Sequence, residues 1–129
     1  MILLDTHVLL WMALEPGRLS KAASSAIQQA RSGGFICIAD VSFWEIALLA
    51  HRKRITIPGT LDAFLYDISS RLEVKAISAA IAAMSVSFPD DYPRDPADRL
   101  IGATSKVEGL PLVTADRQLR RSSLLNTIW

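Results

Sequence analysis

Cysteine, aromatic residues, net charge and long hydrophobic runs are all scarce in this 129-residue chain. With Cys37 as its one cysteine, the chain can form neither an intrachain disulfide nor a cysteine-rich zinc site. Its longest apolar run covers residues 8–14, well short of the ~20 residues that cross a bilayer as a helix. Asp5 also interrupts the apolar stretch at the start of the sequence, where a secretory signal would be uninterrupted. We therefore expect a cytoplasmic protein without a secretory signal or a membrane span.

The charge and the known sequence signatures exclude further classes. A formal net charge of +1 argues against binding to nucleic acid by bulk attraction alone, and 50% hydrophobic residues exclude a disordered chain. The chain contains no phosphate-binding or dinucleotide-binding glycine loop, no His-Glu-x-x-His zinc motif and no Gly-x-Ser-x-Gly nucleophile motif. The remaining possibility is a globular domain whose chemistry depends on other side chains.

Short apolar segments alternate with helical patterns along the chain. Buried strands are predicted at 2–4, 35–39 and 112–114, with weaker strand signals at 73–77 and 126–129. Helices are predicted between them, at 7–14, 20–31, 42–52, 60–70, 78–89, 95–108 and directly after residue 116. This alternation predicts an α/β fold with three layers, in which helices cover both faces of a short parallel sheet. We expect a single domain over residues 1–129.

Acidic residues follow the predicted strands. Asp5 comes after the first, Asp40 after the second with Glu45 just beyond it, and Asp116 after the segment at 112–114. Asp98 lies in the first turn of its helix, also at an end of the layered structure. Because ligands of open parallel sheets bind outside the carboxyl ends of the strands, these acids are candidates for one site. Each also has a structural explanation as a helix cap or turn residue.

Carboxylates that meet at one edge repel one another unless a cation neutralises them. Oxygen ligands without a histidine or cysteine cluster favour Mg²⁺ or Mn²⁺ over zinc. Such ions can activate water for attack on a phosphodiester, which makes metal-dependent phosphodiester hydrolysis the predicted chemistry. The hydroxyls of Thr6 and Thr114 stand beside the acids, where they can orient a carboxylate or a water.

Four segments contain the acids in a recognisable order: Leu-Leu-Asp-Thr-His at 3–7, Trp-Glu-Ile-Ala at 44–47, Asp-Pro-Ala-Asp-Arg-Leu-Ile at 95–101 and Leu-Val-Thr-Ala-Asp at 112–116. Together they resemble PIN-domain ribonucleases, and among them the VapC-type toxins of toxin–antitoxin pairs. Their order and spacing extend the likeness over the whole chain, to the closing Thr-Ile-Trp. Ala39 and Gly102 depart from the family pattern, where serine and alanine are common, but neither change removes an acid.

The resemblance implies an α/β/α PIN-like domain that cuts RNA with Mg²⁺ or Mn²⁺. It assigns the four family acids to Asp5, Glu45, Asp98 and Asp116, as catalytic residues and metal ligands. Asp95 then becomes a helix cap or an outer group, and Thr114 matches the family's hydroxyl ahead of the last acid. The family also implies a homodimer and a cognate antitoxin protein as partners.

Basic residues form two clusters that are candidates for guiding an RNA backbone. The full set of candidates is Arg52, Lys53, Arg54, Arg99, Arg117, Arg120 and Arg121. A helical segment after residue 116 would place its three arginines on one face, as a phosphate track requires. An ordinary solvated surface explains the same residues equally well. We interpret His7 as a helix-packing residue, and the three tryptophans as core or interface anchors.

Two other functions fit parts of this pattern. A PIN-like module that binds RNA or a protein without cutting it shares the fold, but the presence of all four acids speaks against it. A receiver domain, which is phosphorylated on an aspartate, also places its acidic residues at the carboxyl ends of the strands. Against that class, Asp5 has no second acid beside it and no lysine follows the last predicted strand.

Overall fold

The computed structural model describes residues 1–129 and contains five short strands and seven α-helices. The strands are β1 (Ile2–Leu4), β2 (Ile36–Ala39), β3 (Glu73–Lys75), β4 (Leu112–Val113) and β5 (Thr127–Ile128). The helices are α1 (Thr6–Leu14), α2 (Lys21–Gly33), α3 (Val41–His51), α4 (Leu61–Arg71), α5 (Ala79–Ser85), α6 (Pro96–Glu108) and α7 (Arg117–Arg121). None of the helices combines the length and the apolar character that a membrane crossing requires.

All the strand pairs are parallel, and the sheet order is β3–β2–β1–β4–β5. The carboxyl ends of the five strands therefore share one edge, with β1 at the centre. Leu4 and Ile38 pack into a core with α1, α2 and α4, whereas Leu3 and Cys37 pack into a second core with α5, α6 and α7. Because side chains of a strand alternate between its faces, this division produces three layers. The three-layer α/β prediction is confirmed.

Local sequence fixes most helix ends where they were predicted. The hydroxyl of Ser20 accepts a hydrogen bond from the Ala23 amide, and that of Ser78 accepts one from Ile81. Gly109 ends α6 with a φ of 66°, a left-handed conformation that glycine adopts without strain. The two serine hydroxyls bond to amide groups at the helix starts that have no partner inside the helix.

Two elements end two or more residues before their predicted ends. Helix α5 ends at Ser85 rather than near residue 89, since Phe88 precedes a proline and stacks on Tyr92 with ring centroids 4.0 Å apart. Strand β3 ends at Lys75 rather than at residue 77, because the amide of Ile77 donates to the Asp40 carboxylate instead of a strand.

Candidate active site

Asp5 lies at the carboxyl end of the central strand β1, where it caps α1. Its Oδ1 accepts a hydrogen bond from the Thr6 amide at 2.8 Å, and its Oδ2 accepts one from the Thr114 hydroxyl at 2.7 Å. Only 6% of the residue is exposed. This burial raises the pKa of the carboxyl above its ordinary value, and the hydrogen bond from Thr114 acts in the opposite direction. The structure thus holds a buried carboxylate in one fixed orientation.

A chain of hydroxyls links the start of α1 to Glu45 on α3. The Thr6 hydroxyl donates to Glu45 Oε1, and it lies 2.9 Å from the Ser42 hydroxyl. Because a hydroxyl has only one hydrogen to donate, the Thr6 hydroxyl donates its hydrogen bond to Glu45 and accepts one from the Ser42 hydroxyl. Burial raises the pKa of Glu45, and repulsion from Asp5 raises it further. Glu45 therefore belongs to the same electrostatic cluster as Asp5.

Thr114 joins Asp5 to the start of α7. Its fully buried hydroxyl donates to Asp5 and accepts a hydrogen bond from the Asp116 amide at 3.1 Å. The Asp116 carboxylate caps α7 by accepting from the amides of Gln118 and Leu119 at 2.8 and 3.2 Å. Asp116 can therefore fill both predicted roles, as the cap of α7 and as a neighbour of the other acids.

Asp98, in the first turn of α6, is affected both by its burial and by the neighbouring acids. Burial and repulsion from the other acids together raise its pKa to about 7. In decreasing order, that repulsion comes from Asp5, Asp95, Asp116 and Glu45. The exposed Asp95 caps α6, with its Oδ1 accepting from the Asp98 amide at 3.0 Å. The structure brings all four predicted acids, and Asp95, within mutual electrostatic reach.

Tyr92 supports the backbone that carries Asp98. Its hydroxyl donates to the Asp98 carbonyl oxygen at 3.0 Å, and the residue is only 3% exposed. The ring occupies a notch that exists because residue 102 is glycine, since a Cβ atom there would lie 2.0 Å from the tyrosine oxygen. The departure from the family pattern at Gly102 thus makes room for Tyr92.

Asp40 does not join the cluster, although it also follows a strand. Its Oδ2 accepts from the Ile77 amide at 3.1 Å, and its buried Oδ1 has no partner. His7 is exposed, yet its charge favours the ionised forms of Asp5 and Glu45, so it lies near the acids. Its ring centroid is also 6.2 Å from that of Trp11, one turn further along the same helix α1. An exposed ring beside the acids does not match the prediction of a helix-packing histidine.

The candidate RNA-binding residues lie in three places. Arg52, Lys53 and Arg54 are exposed at the end of α3. Arg99 is turned to α5, where its Nη1 donates to the Ser85 carbonyl oxygen at 3.3 Å and its guanidinium lies 5.8 Å from the Tyr92 ring centroid. The exposed arginines of the third group lie on α7, and they are Arg117, Arg120 and Arg121. The third group begins directly after Asp116 in sequence.

The donor chemistry of the cluster suits a divalent cation. Its potential ligands are carboxylate oxygens, and the chain's three ion pairs involve none of them. Burial raises the pKa values of Asp5, Glu45 and Asp98, and repulsion from neighbouring acids raises them further. No three acidic, histidine or cysteine side chains, however, form a ready-made metal site as they stand. The residues therefore fit the ion by the chemistry of their oxygens, although their side chains are not arranged around a common point.

Sequence reasoning missed two residues of this region. Ser42 is fully buried and three residues before Glu45, so the helical i, i+3 spacing of a serine and an acid was a usable signal. Tyr92 lies between Pro89 and Pro93, outside the helices predicted at 78–89 and 95–108, and nothing in that segment indicates a buried ring. Its contact with residue 98 is set by tertiary packing.

Comparisons with known proteins extend these observations. A model of the PIN domain family matches residues 2–123. The chain is 40% identical over 130 residues to Ribonuclease VapC22 of Mycobacterium tuberculosis (strain ATCC 25618 / H37Rv), which covers 99% of this chain and 98% of that protein.

Solved structures with the same fold have much lower identity. VapBC2 from Rickettsia felis, bound to a DNA fragment from their promoter, matches with a TM-score of 0.73 and 18% identity. DNA-bound VapBC from Salmonella typhimurium matches with a TM-score of 0.70 and 20% identity. Each match covers 98% of this chain and 97% of the other.

Proposed function

The chain belongs to the PIN-domain family, and from this premise we propose that it is a metal-dependent endoribonuclease, the toxin of a toxin–antitoxin pair. The observation that carries the proposal is the cluster of Asp5, Glu45, Asp98 and Asp116, none of which forms an ion pair with a basic side chain. The 40% identity to a relative named as a ribonuclease, over nearly the whole of both chains, supports RNA as the substrate.

In this proposal the four carboxylates hold Mg²⁺ or Mn²⁺. A divalent ion at such a site supplies activation of water and stabilisation of the leaving oxygen of a phosphodiester. The protein's own contribution is to bring the carboxylates to one sheet edge and to hold their side chains in fixed orientations. Thr114 fixes the orientation of Asp5, and Thr6 fixes that of Glu45. Hydrogen bonds from such supporting groups keep ligands in place before the substrate arrives.

The proposal extends to partners and location. Solved relatives of the same fold include a toxin–antitoxin complex from Klebsiella pneumoniae, which supports a cognate antitoxin for this chain. Trp44 on α3 and Val86 after α5 are 56% and 80% exposed, and large exposed apolar side chains support a homodimer or another protein contact. A cytoplasmic location accords with a single, buried and unpaired cysteine.

Cleavage of purified cellular RNA tests the activity. We expect cutting with Mg²⁺ or Mn²⁺ and none in EDTA. Asp5→Asn keeps the shape of the side chain but removes its charge, so we expect it to lower the rate by about a thousandfold. Asp40→Asn is the matched control, because it removes an acid at the end of the neighbouring strand and should leave the rate unchanged.

Three outcomes decide between the candidate functions. Cleavage that persists in EDTA would contradict the metal requirement. Equal rates for Asp5→Asn and the wild type would remove the acid cluster from the reaction. RNA binding without any cleavage by the folded, metal-loaded protein would instead favour the non-catalytic binding module.

A further inference from the structure

A pocket on α7 brings three arginines against the last strand. The side chains of Arg117, Arg120 and Arg121 line it together with Thr127 and Trp129, and its volume is about 540 Å³. Residues at helical spacings of three and four share one face, so the helix presents the three guanidinium groups as a set. None of the five lining residues is acidic.

The arginines of this pocket form no ion pair within the protein. The chain's three ion pairs lie elsewhere, at Arg18–Glu15, Arg71–Asp67 and Lys75–Glu73. The adjacent Asp116 uses its carboxylate Oδ1 to cap α7. Guanidinium groups present several donors in a planar fork that matches the oxygens of a phosphate. Three such groups without a carboxylate partner are suited to an anion with several oxygens.

Trp129 forms a fixed wall of the same pocket. Its ring packs on Trp11 with centroids 5.7 Å apart and planes at 51°. The amide of Thr114 donates to the Ile128 carbonyl oxygen at 3.1 Å, which places Trp129 beside the threonine that holds Asp5. Strand β5 is separated from the central strand β1 by β4 alone, and adjacent strands are about 4.8 Å apart, so the pocket lies near the sheet edge that carries the acid cluster.

We propose that this pocket, which we name the α7 pocket, binds a backbone phosphate and a neighbouring unpaired base of single-stranded RNA. The inference rests on the proposed function, which supplies the RNA. The arginines contact phosphate oxygens, and the base stacks on the exposed part of Trp129. Trp129 is the one large apolar residue in the lining, so the pocket lacks the apolar surface that the core of a protein interface buries.

The test measures binding of a fluorescein-labelled oligouridylate by fluorescence anisotropy in EDTA, over a range of salt concentrations. We expect the double variant Arg117→Gln/Arg120→Gln to bind about tenfold more weakly at low salt. The slope of log affinity against log salt should become shallower by about 0.7 for each lost phosphate contact. The matched control Lys21→Gln/Arg31→Gln removes two exposed positive charges from α2 and should retain the affinity and slope of the wild type.

The tryptophan is tested separately. Trp129→Ala should weaken binding of the single strand by roughly fivefold to a hundredfold, whereas Trp129→Phe keeps a stacking ring and should restore most of the affinity. Annealing the same RNA to its complement should abolish the difference between these variants, since paired bases cannot stack on the ring. If Trp129→Ala does not fold, as judged by circular dichroism, the arginine variant decides alone.

RNA cleavage by the same preparations separates the two proposals. Wild-type cleavage together with unchanged affinity and salt slope in the arginine variant would overturn the α7 pocket and leave the ribonuclease intact. Weaker binding of a protein partner by these variants, with unchanged RNA affinity, would likewise overturn RNA binding by the α7 pocket and leave the ribonuclease intact. A wild type that neither cleaves nor binds RNA would overturn the ribonuclease and, with it, the RNA subsite.

Discussion

Asp5 and Asp40 follow the neighbouring parallel strands β1 and β2, yet their surroundings differ. Asp5 receives hydrogen bonds from the Thr6 amide and the Thr114 hydroxyl, and three other acids face the same region. Asp40 receives one hydrogen bond, from the Ile77 amide, and ties the end of β3 to the start of α3. Position after a strand therefore does not suffice to make an acid part of the site.

The difference lies in what surrounds the strand end. Asp5 follows the central strand, so α3, α6 and the end of β4 can all deliver polar groups to it. Asp40 is one strand nearer the edge of the sheet, and the segment after β3 occupies its carboxylate. The carboxyl end of the central strand β1 is thus surrounded by polar groups from more elements than the end of the neighbouring strand β2.

Removing the hydroxyl of Thr114 should have the largest effect among the tests of this contrast. Thr114→Val keeps the volume but removes the donor to Asp5 and the acceptor of the Asp116 amide. We expect RNA cleavage to fall by roughly tenfold to a hundredfold, the usual effect of losing such a supporting group. Steady-state kcat and KM at saturating Mg²⁺ measure it.

Thr104→Val provides the control for this substitution. Thr104 is also buried, but its hydroxyl donates to the Leu100 carbonyl oxygen within α6. We expect it to retain the wild-type rate. Equal rates for both valine variants would mean that the orientation of Asp5 does not depend on Thr114.

Neutralising Asp98 should stabilise the metal-free protein in a pH-dependent way. The pKa of this carboxyl is about 7 in the folded protein and ordinarily 3.8. Below pH 3.8 both states keep the proton. Between these values the unfolded chain loses it first, so stability falls as pH rises, and the loss is complete above pH 7. The Asp98→Asn variant has no ionisable group at this position, so this contribution to the pH dependence of its stability is absent.

Urea unfolding in EDTA measures the effect. At pH 8 we expect Asp98→Asn to be more stable than the wild type by about 1 to 2 kcal/mol, a value reduced for the partial exposure of the side chain. The advantage should vanish near pH 4. Asp62→Asn alters an exposed acid in the first turn of α4 and should show no such dependence. A constant advantage for Asp98→Asn at all pH values would falsify the electrostatic explanation.

Asp40→Asn should have the smallest effect. The amide oxygen of asparagine can still accept from Ile77, and the buried Oδ1 has no hydrogen bond to lose. We expect the free energy of unfolding to stay within ~0.5 kcal/mol of the wild type in thermal or urea denaturation. A loss of several kcal/mol would show that the bond to the segment after β3 depends on the negative charge.

The sequence predicted every strand and helix of the fold to within a few residues at most ends. Apolar runs such as residues 2–4 and caps such as Ser20 and Asp95 are local signals, and they need no knowledge of distant contacts. The exceptions are the ends of α5 and β3, which depend on contacts outside these elements. Phe88, beyond the end of α5, stacks on Tyr92, and the Ile77 amide, beyond the end of β3, donates to Asp40.

The sequence indicated the acids of the candidate site and the hydroxyls of Thr6 and Thr114, but not which atoms those hydroxyls contact. The strand-end rule selected Asp5 and Asp40 equally, and the chain's likeness to a known family favoured Asp5. The contacts of Ser42 with Thr6, and of Thr114 with Asp5, join residues 36 and 109 positions apart. No local pattern encodes such distances, which emerge only when the layers pack together.

Tyr92 and Gly102 also constrain how this chain can change over generations. With the ring in its notch, almost any residue larger than glycine at position 102 would overlap the tyrosine oxygen or its ring. A chain that acquires a bulkier residue there must first, or at once, lose the tyrosine. The two positions are therefore expected to vary as a pair among descendants, and one order of substitutions is accessible while the reverse passes through a destabilised intermediate.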